Sequence, residues 1–327
     1  MKKAFATLAV VVLLALPLCA QGSKEAPSGE KVYKIGISKL LPHPALDAAE
    51  KGMMDYLATT DLKVTYDQQN ANGDVGTAAS IAQKFKSDKD DIVVGIATPS
   101  AQALANVFSE TPVVFSAVTD PASAGLTAAN VCGVSDANPV ESQIKLLVDV
   151  TGCKTIGNVY ASGEANGVVL MESAKAACEK LGLKFVTVAV SNSSEVKMAA
   201  QSIIDRVDAV YIATDNTVIS ALPSIDDVCN KAGKALFSAD PSGVNGLNFL
   251  IAWGFNYYSV GKATGQVVEK ALKGISPKDI GTVYLTDPKD FELWFNLDTA
   301  KKLGYTIDQK YLDMAAVLIQ DGKKIEK

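Results

Sequence analysis

The feature that most narrows what this chain can fold into is that it repeats itself. "IGISKLLPHPALDAAEKGMMDYL", from Ile35, matches "IGNVYASGEANGVVLMESAKAACEKLG", from Ile156. "LKVTYDQQNANGDVGTAASIAQKF", from Leu62, matches "LKFVTVAVSNSSEVKMAAQSIIDRV", from Leu183. "VVGIATPSAQAL" matches "AVYIATDNTVISAL", pairing Thr98 with Thr214, and "VVFSAVTDP" matches "ALFSADPS", pairing Phe115 with Phe237. Any two strand–helix stretches share a composition. Four segments kept in order at nearly constant spacing say more: they specify two similar lobes.

Within the first copy, β-branched apolar runs predict strands at Tyr33–Ser38, Lys63–Gln68, Ile92–Ile96 and Pro112–Ser116. Helical patterns lie between them, near Ala45–Ala58, Val75–Phe85 and Ser100–Val107. That alternation implies βαβ units and a mostly parallel sheet. The last portion does not repeat. Residues 253–274 read as a helix of the first-lobe type ended by Gly274, and 291–307 as a strand leading into a helix. To finish both lobes the chain must cross between them near 130–137, 250–256 and 284–290, and several crossings make a hinge around which two lobes close. The expected fold is α/β, two similar doubly wound lobes joined by a multi-strand hinge. Lobe 1 takes 32–133 with 254–285, and lobe 2 takes 134–253 with 286–327.

The first residues follow another logic. Lys2 and Lys3 precede the apolar stretch Ala4–Leu18, which has the form of a secretory signal and is too short for a comfortable membrane span. Residues 1–19 are read as that signal and 20–31, rich in Ser, Gly, Lys and Glu, as a flexible tether. Cys19 sits where an exported lipoprotein carries its lipid, with Leu16 three positions earlier, although Leu18 replaces the usual small residue before it. An exported protein held at the outer face of a bacterial membrane is the expectation. The net charge of −5 and the lack of a Lys/Arg cluster argue against nucleic acid as a partner. Cys132, Cys153, Cys178 and Cys229 have neither CxxC spacing nor histidine partners, so no metal is expected. Cys178 and Cys229 fall in amphipathic helical patterns, where a buried free thiol is the natural reading.

Catalysis finds little support. The chain has no GxSxG, HExxH, GxGxxG or GxxxxGK, and its one histidine, His43, has no recognisable nucleophile to serve. No enzyme activity and no cofactor are expected, an α/β enzyme using isolated carboxylates such as Asp120 or Asp215 being the alternative. Binding fits the loops better, because open parallel sheets take ligands at the carboxyl ends of their strands. Those loops are 40–44, 69–72, 98–100 and 118–120 in lobe 1, and 162–166, 191–194, 214–216 and 240–242 in lobe 2. Thr98 and Ser100 open a helix, where free amides and hydroxyls suit a carboxylate or only cap the helix. Asp215 suits a ligand ammonium or, equally, a cap. Pro44 fits the first turn of its helix, so "LPHPALD" reads as a rigid lip with His43 facing the ligand or the opposite lobe.

Taken together, "HPALDAAEKG", "IATPSAQALAN", "PVVFSAVTDPASAGL", "GVSDANPVE", "ATDNTV" and "LDTAKKLGYTI" resemble the TrpX-like substrate-binding lipoproteins of bacterial ABC importers. The resemblance covers nearly the whole chain after the leader. It implies a type I periplasmic-binding fold that delivers an α-amino acid, most often aromatic, to a membrane permease, as a monomer. It also implies ligand contacts from Leu41, His43, Asn70, Thr98, Ser100, Thr119, Asp120, Glu164, Asn166, Thr214, Asp215 and Asp240; the ligand side chain is then expected in an apolar slot against Trp253 or Tyr160. The segment "SADPSGVNGLNFLIAWGFNYY" departs from the family pattern. A branched-chain amino acid, nucleoside or sugar is the alternative ligand, though only 7% aromatic residues and no Arg in the loops disfavour sugars. A surface adhesin is the remaining alternative.

Overall fold

A computed structural model describes residues 31–327; the leader and Cys19 lie outside the described residues. The first lobe opens with β1 (Val32–Lys39), α1 (Pro44–Leu57), β2 (Lys63–Asn70), α2 (Val75–Asp88), β3 (Ile92–Ile96), α3 (Thr98–Ala105), β4 (Val113–Ser116) and β5 (Val131–Ser135). The chain crosses over and the second lobe repeats the scheme: α4 (Val140–Thr151), β6 (Thr155–Ala161), α5 (Ala165–Lys180), β7 (Lys184–Val190), α6 (Val196–Ile203), β8 (Ala209–Ile212), α7 (Asn216–Ser220), α8 (Leu222–Ala232), β9 (Ala235–Ser238) and β10 (Ile251–Phe255). It returns with α9 (Tyr257–Leu272), α10 (Pro277–Ile280) and β11 (Thr282–Tyr284). It finishes with β12 (Phe291–Asn296), α11 (Leu297–Leu303), α12 (Gln309–Met314), β13 (Val317–Gln320) and β14 (Lys323–Glu326).

Two sheets result. The first runs β11-β5-β4-β3-β1-β2, all parallel, and the second β14-β13-β12-β10-β9-β8-β6-β7. Read from the repeat, the orders β2-β1-β3-β4-β5 and β7-β6-β8-β9-β10 are the same, so the duplication seen in the sequence is a duplication of topology. The second sheet departs from parallel at β10–β12 and at the terminal β13–β14 pair. In the 2-1-3-4-5 order the strand sequence reverses between the first and third strands, and the loops there splay apart to leave a crevice. Each lobe therefore has one such point, β1/β3 in the first and β6/β8 in the second.

Local chemistry sets the element ends. Asp74 caps α2 by accepting from the Thr77 amide, and Asn256 caps α9 by accepting from Ser259. That last cap corrects the reading of 253–274 as one helix. Ile251–Phe255 is an apolar run that pairs with β9 and β12, and the helix starts only after Asn256, so Trp253 belongs to a strand of the second sheet. The helix itself returns to the first lobe and lies on α1. The two helices touch backbone to backbone: a Cβ at Gly52 would collide with the Tyr258 carbonyl, and one at Gly261 with that of Ala49. Val260, Ala263, Val267 and Val268 of α9 are part of the first-lobe core with Ile35, Ile37, Met53 and Phe115. The second lobe has a core on each face of its sheet, one around Phe237, Tyr211 and Phe295 and the other around Ile203, Ile212 and Phe249.

All four described cysteines are buried free thiols, and burial pushes Cys132, Cys178 and Cys229 up to about 12. Among the described residues no helix is long and apolar enough to cross a membrane, and no group of His, Cys, Asp and Glu is placed to hold a metal ion.

Candidate ligand-binding site

The carboxyl ends of both sheets converge on one cavity. From the first lobe it is lined by Leu41, His43, Ala45 and Leu46 after β1 and by Ala117 and Thr119 after β4. From the second come Asn166 at the start of α5, Thr214, Asp215, Asn216 and Ile219 after β8, and Asp240 after β9. Two hinge residues complete it, Asp136 in the first crossing and Tyr257 just after the second. The free space inside is about 30 Å³. That is room for little more than a water or two, which need about 10–15 Å³ each by this measure. The lobes are shut on each other in this arrangement.

Each polar group has a definite attachment. His43 caps α1, its Nδ1 accepting from the Ala45 amide at 3.3 Å with Pro44 in the first turn, and the same Nδ1 stands 3.6 Å from Asp240 Oδ2 across the cleft. Asp240 Oδ1 accepts from the Ser242 amide (2.8 Å) and hydroxyl (2.6 Å). Asp215 is fully buried and caps α7: Oδ1 accepts from Val218 N at 3.0 Å and Oδ2 from Ala161 N at 2.6 Å. Gly167 passes so close to this carboxylate that no larger residue fits. Asn166 Nδ2 donates to the Thr214 carbonyl at 3.1 Å, while its buried Oδ1 has no partner. Asn138, in the first crossing, donates to Thr214 Oγ1 at 3.3 Å. Asp136 accepts from Thr119 Oγ1 at 3.1 Å and from the Tyr257 hydroxyl at 2.9 Å.

Electrostatically the cavity is one-sided. Asp136, Asp215 and Asp240 line it and no Lys or Arg does. Burial pushes Asp136 up to about 6, its two hydroxyl donors pulling the other way and Asp240 adding to the rise. Burial, then the charge of Glu164, raises Asp215 as well. Burial and the charges of Asp136 and Asp240 raise Tyr257 well above its ordinary range, so its hydroxyl stays a donor. A site of this kind is complementary to a cation with N–H groups to give. The backbone adds a further mark. Ala97 and Ala117, at the ends of β3 and β4, hold φ of 76° and 57°, a conformation that costs a non-glycine residue energy and concentrates at functional sites.

Of the residues singled out in the sequence, the cavity gathers Leu41, His43, Thr119, Asn166, Thr214, Asp215 and Asp240. The others are placed elsewhere. Asn70 ends β2, an edge strand outside the β1/β3 crevice, and accepts from the Asn72 amide within its own turn. Asp120 accepts from Ser123 N and Oγ, closing a local turn. Glu164 turns toward α7, accepting from Asn216 and Thr217. Thr98 and Ser100 are buried in the first turn of α3, and Ser100 Oγ has no partner there. Trp253 lines a separate groove beside the crossings, with Pro139, Leu285 and Phe291. Asp136 and Tyr257 were not singled out, although "GVSDANPVE" contains the first.

A model of the ABC transporter substrate-binding protein family matches residues 34–319. The chain belongs to that family. Substrate-binding proteins of ABC importers bind small molecules outside the cytoplasm and work with a membrane permease. A tyrosine-binding protein of Clostridioides difficile (strain R20291) is 33% identical over 295 residues, 87% of this chain and 84% of the relative. An ABC domain from Streptococcus pneumonia, solved in complex with L-Trp, is 33% identical, covers 88% of this chain and 100% of its own, and superimposes with a TM-score of 0.83. The ligand-free, open structure of a substrate-binding protein with adhesive properties from Clostridium difficile is 34% identical, covers 84% of this chain and 96% of its own, and gives a TM-score of 0.65. The architecture of this ABC substrate-binding protein is that of the type I periplasmic-binding fold.

Proposed function

We propose that this protein captures an aromatic α-amino acid (tyrosine, tryptophan or phenylalanine) in the cavity between its lobes and carries it to the permease. The observation that supports this most directly is a narrow cavity, built from strand-end loops of both lobes, that offers carboxylates and an unpaired amide oxygen but no Lys or Arg. An ammonium answers that chemistry. The relatives named for tyrosine and solved with L-Trp supply the class of side chain.

Of the two carboxylates considered from the sequence, Asp240 is the better partner for the ammonium. Both oxygens of Asp215 are occupied by backbone amides, while Asp240 Oδ2 stands 3.6 Å from His43 Nδ1 and takes no backbone amide. The α-carboxylate is assigned to the first turn of α3, where Thr98 and Ser100 stand with free amides and the Ser100 hydroxyl lacks a partner. α3 and α5 meet across the cleft, which brings that turn toward Asn166. The ligand ring packs against Leu41, Leu46 and Ile219.

Free space of about 30 Å³ cannot admit such a ligand, so entry requires the lobes to part. The two similarly identical neighbours support a hinge: this chain matches the L-Trp complex at 0.83 and the ligand-free, open structure at 0.65. We read the protein as a monomeric carrier rather than an enzyme, without a nucleic-acid partner, tethered through a lipid on Cys19. A thermal-shift screen over the amino acids, nucleosides and sugars tests the ligand class. A true ligand at a hundred times its Kd adds about 2.7 kcal/mol of stability. No shift with any amino acid refutes the proposal.

A further inference from the structure

We infer that Asp136, facing the same space as Asp240, is a second carboxylate that reads the ligand's positive charge, and that seating the ammonium beside the pair expels a proton from Asp136. This rests on the amino-acid reading above. Asp136 sits in the first crossing, where neither copy of the repeat has a counterpart, and its carboxylate points into the shut cavity. It is fixed without being neutralised. Thr119 holds one oxygen and Tyr257, from a different crossing, holds the other, and both are uncharged donors.

The remaining titratable groups that face the cavity are Asp240, Asp215, Tyr257 and His43. Asp215 is committed to two backbone amides. Tyr257 stays protonated. The His43 nitrogen nearest Asp240 already accepts the Ala45 amide. Asp136 and Asp240 therefore face one low-dielectric space that no Lys or Arg lines, and the Asp240 charge disfavours the ionised form of Asp136. Burial and Asp240 together push Asp136 up to about 6. An ammonium entering that space favours the ionised carboxylate, so the proton held by the empty site leaves to solvent and the ligand's charge replaces it. Asn166 Oδ1, buried and unpaired on the second-lobe wall, is an additional acceptor for the incoming N–H groups.

The consequence is that capture weakens below neutrality. With one proton displaced from a group titrating near 6, affinity falls about tenfold between about pH 7 and about pH 5. Calorimetric titration with L-tyrosine and with L-tryptophan tests this, at both pH values and in two buffers of different ionisation enthalpy. The expected result is release of about one proton per ligand at the lower pH and close to none at the higher. Asp136→Asn is expected to abolish the part of the pH dependence and of the release centred near 6, and Asp215→Asn, which removes a different buried acid, to leave that part in place. Tyr257→Phe, which removes a donor to the carboxylate, is expected to move the midpoint of the profile to higher pH, and it serves if Asp136→Asn fails to fold. Equal affinity at the two pH values, or an unchanged profile in the Asp136 and Tyr257 variants, overturns the inference. Failure of both amino acids to bind at any pH overturns the amino-acid reading itself, and this inference with it.

Discussion

Replacing Glu164 with alanine should loosen the second lobe before it affects the ligand directly. Glu164 stands one residue before α5 and ties its start to α7. Oε1 accepts from the Thr217 amide (2.9 Å) and hydroxyl (2.6 Å), and Oε2 from Asn216 Nδ2 (2.6 Å) and, at 3.3 Å, from the Asn216 amide. α7 is only five residues long, so these bonds are most of what anchors its first turn. Hydrogen bonds to a charged acceptor contribute about 1.5–3 kcal/mol each, and two backbone amides lose theirs in Glu164→Ala. Some of that loss is offset. Glu164's own charge raises the neighbouring Asp215, and water reaches the half-buried first turn once the side chain is gone. The net expectation is a loss of about 2 kcal/mol, and of about 1 kcal/mol for Glu164→Gln, which keeps one acceptor for Thr217. Urea unfolding of the ligand-free protein measures both. Ligand affinity should fall only several-fold, through displacement of Asn216 and Asp215 in the cavity wall. A stability change below about 0.5 kcal/mol, or a hundredfold loss of affinity without loss of stability, would refute the anchoring role.

Other consequences follow from the packing and the buried acids. Gly52→Ala should destabilise by about 1–3 kcal/mol, because the new methyl meets the Tyr258 carbonyl and outweighs the better helix propensity of alanine; a rise in the urea midpoint would contradict this. The ligand-free protein should be more stable near pH 5 than near pH 7. Asp136 and Asp215 both titrate higher in the folded state than in the unfolded chain, so the folded state binds more protons and stability drops as pH rises toward the folded values. Asp136 alone contributes about 1 kcal/mol over that interval, and a flat or rising stability profile would falsify the assignment. Cys132, Cys153, Cys178 and Cys229 should resist a thiol-specific reagent until the protein is unfolded, since burial removes both access and thiolate. Reaction of any of them at the rate of a free thiol would show that the lobe opens locally.

Much of this architecture can be read from the repeat alone. Ile35 with Ile156 and Thr98 with Thr214 mark equivalent strand ends, so the loops following β1, β6, β8 and β9 are marked as candidate walls before any coordinates are known. Six of the residues named from those loops, joined by Thr119 after β4, do meet in one cavity. What a repeat cannot show is what lies outside it. Asp136 and Tyr257 belong to crossings that occur once, and only the fold brings the first and second crossings to the same point. Sheet order matters equally. Asn70 has a loop position like that of His43, yet β2 is an edge strand and β1 is central, and only the central strand's loop faces the other lobe. Trp253 was misplaced for a different reason. "IAWGFNYY" carries an apolar β run joined to an Asn-capped helix, and helical periodicity downstream of Asn256 masked where the strand ended.

The return of α9 to the first lobe also bears on when that lobe can exist. Its core includes Val260, Ala263, Val267 and Val268, and its sheet gains β11 only at Thr282–Tyr284. While the chain is being made, α1 therefore presents a bare apolar face, with Gly52 and Ala49 uncovered, until some two hundred later residues have appeared. The first lobe therefore cannot close on itself until the chain is nearly whole. Here α9, drawn from the far end of the chain, is the clasp that completes the first lobe.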